Sequence, residues 1–238
     1  EFRLLTDAVG GKGYRQIDIK LGCPVPMIAG KHKGAGMLLY PAQVAEVLAP
    51  IAEYPEIQFS LKMRLGWENA SECMVLIELL NALRLSRIAL HARTGKQQYK
   101  GHPDLEAFQG FYELCQHPLY YNGGIESLSD IRQILIRFPL LKGVFIGRGL
   151  LSSPLLAKEF KGNETFLPEQ RMSIYFAFHE ELFSAYSQVL QGETQLLVKM
   201  KTLWEYFLPE TDRKLLKRIK KSTRLQQYTE SVKAIFTS

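Results

Sequence analysis

Cysteine is scarce in this sequence, and the few present lie far apart, at Cys23, Cys73 and Cys115. An odd, dispersed set excludes a disulfide framework, and the lack of any CxxC pair removes the usual zinc signature. A reducing, cytoplasmic setting and no bound metal are the resulting expectations. No apolar run approaches the roughly 18 residues that span a bilayer. The first residues do not join a basic start to an apolar stretch as a secretion signal does. No membrane partner is expected, and nothing in the sequence calls for an obligate protein partner. Low-complexity tracts and internal repeats are absent too, so solenoids and disordered arrays drop out.

The sequence has 238 residues with an ordinary apolar share of 46%. That is enough for a barrel-sized domain, or for two smaller ones. The charge is uneven. Residues 199–238 carry ten Lys/Arg against four acids, which equals the whole chain's net charge of +6. A neutral body with a basic end suits a polyanionic partner, and it also suits a solvated helical surface. Lys214, Lys217, Arg218 and Lys221 are spaced to share one helix face.

Five short strand-like runs alternate with helical spacing up to about residue 160. They are Gln16–Ile19, Gln58–Arg64, Arg87–His91, Leu119–Asn122 and 143–147. Helical segments are expected near 41–53, 71–84, 104–116, 127–138 and 150–160. A strand about every 25–40 residues is the period of βα units, so a parallel α/β sheet or barrel is expected. From Pro168 onward strand signals fade and long helical stripes begin, such as Leu182, Phe183, Tyr186, Val189 and Leu190, then Leu203, Trp204, Phe207 and Leu208. These stripes are expected to be core. The expected division is an α/β domain over 1–162 and an all-α helical domain over 163–238.

Each strand candidate runs into polar or glycine-rich residues. The first ends in Lys20-Leu21-Gly22-Cys23-Pro24, where a turn holds a thiol at the carboxyl end of a strand. Cys23 fits two readings there, a reactive group or a small apolar residue packed inside. The others end in Lys62-Met63-Arg64, His91-Ala92-Arg93-Thr94, Asn122-Gly123-Gly124 and Gly147-Arg148-Gly149. Taken singly, each could be an ordinary turn or a satisfied core group. In order along one chain, they match the way barrel enzymes draw functional groups from several strand ends. Asn122, Gly123, Gly124, Gly147 and Arg148 follow the last two strand candidates, the usual phosphate position of a barrel.

The ordered motifs IDIKLGCP, SLKMRLGW, ALHARTGKQQYKG, YYNGGI and GVFIGRGLLSSP resemble the tRNA-dihydrouridine synthases. The resemblance covers about residues 13–160 closely and the helical region loosely. It implies a TIM (β/α)8 barrel followed by a helical domain, with FMN as cofactor and NADPH as reductant. It further implies reduction of the uracil 5,6 double bond in tRNA. Carried over by position, Cys23 is the proton donor to uracil carbon 5, and Lys62 and His91 lie at the flavin. Asn122, Gly123 and Gly124, with Gly147 and Arg148, hold its phosphate. Lys20, Arg93 and Tyr99 lie toward the substrate; with tRNA as the implied partner, the charge cluster of Lys214, Lys217, Arg218 and Lys221 is expected to bind it. Lys20 stands where the family usually has Asn, and Gly124 where it has Asp. The family's opening Ala-Pro-Met strand has no counterpart here, and five strand candidates stand where a barrel needs eight. The barrel is therefore expected to lack its first strands. Two other readings fit the same residues: an FMN barrel oxidoreductase acting on a free pyrimidine, and an RNA-binding relative without catalysis.

Overall fold

The structure is a computed structural model and describes residues 1–237. The chain forms two compact units, one of Glu1–Ile125 with Ser129–Phe145, the other of Glu126–Leu128 with the residues from Ile146 onward.

In the first unit, five strands build one sheet: β1 Gln16–Leu21, β2 Gln58–Gly66, β3 Leu85–Thr94, β4 Leu119–Asn122 and β5 Gly143–Phe145. All neighbours are parallel, and spatial order follows chain order. That is the arrangement of consecutive barrel strands, each returning through a helix. The fold class expected from the sequence is therefore present: a parallel sheet with helices, followed by an all-α region.

Parallel strands usually read as near-continuous apolar runs because helices cover both faces. These strands alternate instead, and the two faces differ accordingly. One face carries Leu21, Phe59, Leu61, Met63, Leu65, Ile88, Leu90, Leu119 and Tyr121, all buried. Helices Pro41–Leu48, Leu105–Leu114 and Leu128–Arg137 supply the buried Val44, Leu48, Phe108, Phe111, Ile131 and Ile134 of the same unit. Phe108 packs edge-on against Tyr121 at 4.9 Å and against Phe138 at 5.0 Å. Each such side chain contributes about 1.5–3 kcal/mol when fully buried. The other face carries Asp18, Lys20, Ser60, Lys62, Arg64, Arg87, His91, Tyr120 and Asn122, as the strand register requires.

The second unit is all helical, with Arg148–Ser152, Leu156–Gly162, Pro168–Val189, Glu193–Leu203, Arg213–Lys221 and Leu225–Phe236. Pro168 opens the long helix at its first position, where a missing N–H costs nothing. Asp212 caps the basic helix by accepting from the Lys214 and Leu215 amides. The core holds Tyr175, Leu197, Met200, Trp204, Phe207, Ile219, Tyr228 and Val232. At its centre His179 Nε2 lies 2.6 Å from the Tyr228 hydroxyl, which accepts from Trp204 Nε1 at 2.9 Å.

Several expectations need correction. The segment 150–160 is two helices, because Ser153-Pro154 interrupts it; proline cannot continue a helix from the preceding turn. The segment 71–84 divides at Leu76 into Glu72–Val75 and Ile77–Ala82. Val189 is 75% exposed and not core. Trp204 and Phe207 are buried, but from the turns after the helix Glu193–Leu203. Among the described residues no helix is long and apolar enough to cross a membrane.

Candidate active site

The polar face of the sheet collects the candidate groups at the carboxyl ends of its strands. Across neighbouring strands Arg64 lies opposite His91, and His91 opposite Asn122. Lys62, one step earlier on β2, donates from Nζ to Asn122 Oδ1 at 3.0 Å. Asn122 in turn donates from Nδ2 to the Phe145 carbonyl at 2.7 Å, which fixes its amide orientation. Burial holds the Lys62 amine below its ordinary pKa, and the nearby charges of Arg64 and Lys20 push the same way; Asp18 opposes them. His91 is buried, and its Nε2 lies 3.2 Å from Arg93 Nη1. A guanidinium can only donate, so His91 Nε2 is the acceptor there. Arg93 Nη2 also donates to the Gly101 carbonyl at 3.0 Å.

Cys23 lies two residues beyond the end of β1, after Gly22, and is half-buried. Its carbonyl accepts from the Ala35 amide at 3.0 Å. Gly34 presses against it at φ +57°, where an added Cβ would meet the Cys23 carbonyl at 2.8 Å and its Cβ at 2.9 Å. Only glycine serves at Gly34, on both conformational and steric grounds.

One residue in the site was visible in the sequence but had no role. Arg64 is 1% exposed. Its Nε donates to the Gly22 carbonyl at 3.1 Å, beside Cys23, and Nη1 donates to the Thr94 and Gln98 carbonyls at 2.8 and 2.7 Å. Its guanidinium also lies over the Tyr99 ring, 5.3 Å from the centroid. Arg64 thus ties the cysteine turn to the loop that carries Tyr99. The signal for it was its position two residues after Lys62, on the same face of one strand.

Lys20 points elsewhere. It pairs with Asp18 of its own strand, and Asp18 also accepts from Ser60 Oγ at 2.8 Å. Its head group is therefore drawn back toward the start of β1. Gly123 and Gly124 turn the chain after β4 with φ of +139° and +60°. Gly147 and Arg148 belong to the second unit, at the start of helix Arg148–Ser152. Lys214, Lys217, Arg218 and Lys221 are all exposed and line one depression of about 430 Å³ with Gln227 and Glu230. Among the described residues no group of three or more His, Cys, Asp or Glu could hold a metal ion.

Residues 6–237 match the family model described as dihydrouridine synthase. The chain belongs to the dihydrouridine synthase family. Its relatives include a probable tRNA-dihydrouridine synthase of Rhizobium leguminosarum, 32% identical over 58% of this chain and 44% of that protein. A protein of the same description from Aquifex aeolicus is 35% identical over 61% of this chain and 46% of its own length. The tRNA-dihydrouridine synthase B of Vibrio vulnificus is 27% identical over 66% of this chain and 50% of that protein. The chain thus spans about half the length of the curated relatives it matches. The polar face described above lies wholly within the segment that the family model covers.

Proposed function

We propose that this protein is a cytoplasmic tRNA-dihydrouridine synthase that reduces the 5,6 double bond of uridines in tRNA, with FMN as cofactor and NADPH as reductant. The observation that carries this reading is the cysteine turn, held by Arg64, on the same polar face as the bonded pair Lys62 and Asn122 and their register neighbour His91. The donor set suits a flavin. Lys62 offers an N–H donor and a positive charge to the electron-rich pyrimidine edge of the ring. His91 and Asn122 are oriented by partners of their own, and Gly123 and Gly124 leave backbone room for a phosphate. When bound, the flavin supplies the hydride that uracil receives at carbon 6.

The chain's own residues do the rest. Cys23 Sγ gives its proton to uracil carbon 5, and the thiolate is reprotonated from solvent. Arg64 and Gly34 hold the turn that aims Sγ. Arg93 and Tyr99 flank the same face and orient the base, whereas Lys20 stays paired with Asp18. The residues from 163 onward supply affinity for the tRNA body, in particular Lys214, Lys217, Arg218 and Lys221 on their common face. Incubating the protein with unmodified tRNA, FMN and NADPH should produce dihydrouridine, detected by nucleoside mass spectrometry. Cys23→Ala should keep NADPH oxidation while dihydrouridine formation falls by about 10²–10⁴-fold. Normal product formation by that variant would remove Cys23 from the proton step, and no product from the parent protein would refute the reading as a whole.

A further inference from the structure

Cys23 is the first residue of a loop whose outward surface the proposed chemistry does not use. The loop is closed at its base by the Ala35 amide on the Cys23 carbonyl and by Gly34 packed against Cys23. Between these points, Lys31, His32 and Lys33 are consecutive and exposed. Met27, on the short helix Pro26–Ala29, is 74% exposed, and Val25 and Ile28 beside it are exposed as well. His32 stacks on Tyr40 with ring centroids 4.2 Å apart and planes 24° from parallel. Both rings are exposed, and His32 is held at φ +53°, outside the usual region for a non-glycine residue. No acid occurs from residue 19 to residue 45. Neither Lys31 nor Lys33 forms an ion pair among the described residues.

We propose that this loop, with Tyr40, grips the RNA strand immediately beside the uridine presented to Cys23. Lys31 and Lys33 bind its phosphates, and the ring pair of His32 and Tyr40 stacks a neighbouring base. The proposal rests on the tRNA reading above and adds a partner surface to it. Cations alternating with exposed rings and apolar side chains are what a single strand needs. Phosphates take the charge, and bases and sugars cover the apolar area. An acidic peptide would use the cations but leave the stacked rings without a flat partner. Position matters as much as composition: Lys33 precedes the glycine that touches Cys23, so a strand held here is held next to the candidate proton donor.

The test is tRNA binding by fluorescence anisotropy over a range of salt concentrations, with dihydrouridine formation measured in parallel. Lys31→Glu with Lys33→Glu should weaken binding and reduce the salt slope by about 1.4–1.8, the value for two phosphate contacts. Lys31→Arg with Lys33→Arg should keep the slope, which separates lost charge from lost folding. His32→Asn, which tolerates the backbone angle, together with Tyr40→Leu should lower affinity by about 5–150-fold for one stacked base while leaving the slope alone. Unchanged slope and affinity in all variants, with the parent still forming dihydrouridine, would overturn the proposal and leave the tRNA reading intact. Equal loss of binding to heparin in the ring variants would also overturn it, because heparin has no bases to stack. If the parent neither binds tRNA nor forms dihydrouridine, the tRNA reading fails and takes this inference with it.

Discussion

Replacing Arg64 with Met should destabilise the first unit far more than an ordinary single substitution at a strand end. The arginine is 1% exposed and donates to three backbone carbonyls, Gly22 at 3.1 Å, Thr94 at 2.8 Å and Gln98 at 2.7 Å. Hydrogen bonds from a charged donor contribute about 1.5–3 kcal/mol each, and they do not add when they share one side chain. Burial of the guanidinium works against them, as its lowered pKa records. A methionine relieves that desolvation but leaves three carbonyls without their donor. The net loss is about 2–4 kcal/mol, or roughly 6–12 °C in Tm for a unit of this size. Arg64→Lys should recover only part, because one ammonium cannot span acceptors on two separate loops. Trp67 and Trp204 lie in different units, so a Trp204→Phe background leaves Trp67 fluorescence as a reporter of the first unit. Denaturant unfolding in that background gives the free energy directly. A loss below about 0.5 kcal/mol for Arg64→Met would show that the two loops are held by other contacts, and the account of Arg64 as their tie would be wrong.

Two further outcomes follow from buried groups. His179 is 1% exposed and is held neutral by burial, with only Glu180 pulling the other way, so the unfolded chain binds its proton more readily. Stability of the second unit, read at Trp204, should therefore be fully present above about pH 6.5 and fall as pH drops below it, by at most about 1.4 kcal/mol per pH unit; His179→Gln should flatten that fall, and a parent curve already flat between pH 7 and 5 would contradict it. In the first unit, Asn122→Asp puts a carboxylate 3.0 Å from Lys62 and should raise the lowered Lys62 pKa toward the ordinary lysine value; an unmoved ¹³Cε titration would mean that Lys62 does not face this residue.

The strands were legible because alternation with period two survives in IDIKL and SLKMRL, and the groups at their ends could be read off in order. Lys62, His91 and Asn122 needed nothing beyond that pattern to be placed on one face. The role of Arg64 was not legible. Its partners are backbone carbonyls 42, 30 and 34 residues away, and no periodicity encodes which loops will close over a side chain. The pairing of Lys20 with Asp18 was hidden for a different reason. Residues two apart on a strand share a face, but which way a flexible lysine turns depends on its neighbours, here Lys62 directly opposite and Asp18 behind. In the helical unit, composition revealed the core residues but not the breaks. Trp204 and Phe207 keep helical spacing in turns, because a core can be filled from a turn as readily as from a helix.

The polar face also argues against its own necessity for folding. It carries Lys20, Lys62, Arg64 and Arg87 against the single acid Asp18 among the described residues. Lys20 and Lys62 stand in register on adjacent strands, where like charges repel. A sheet shaped for stability alone would carry aliphatic residues at these positions, as barrel interiors commonly do. Part of the tension is relieved locally, through Asp18 for Lys20, carbonyls for Arg64, and a lowered pKa for Lys62. What remains is an excess of donors and positive charge at the carboxyl ends of parallel strands, beside a thiol. That excess lowers stability in the isolated chain and is offset only when an electron-rich group lies against it. The same imbalance that weakens the fold is thus what suits the face to an electron-rich ligand.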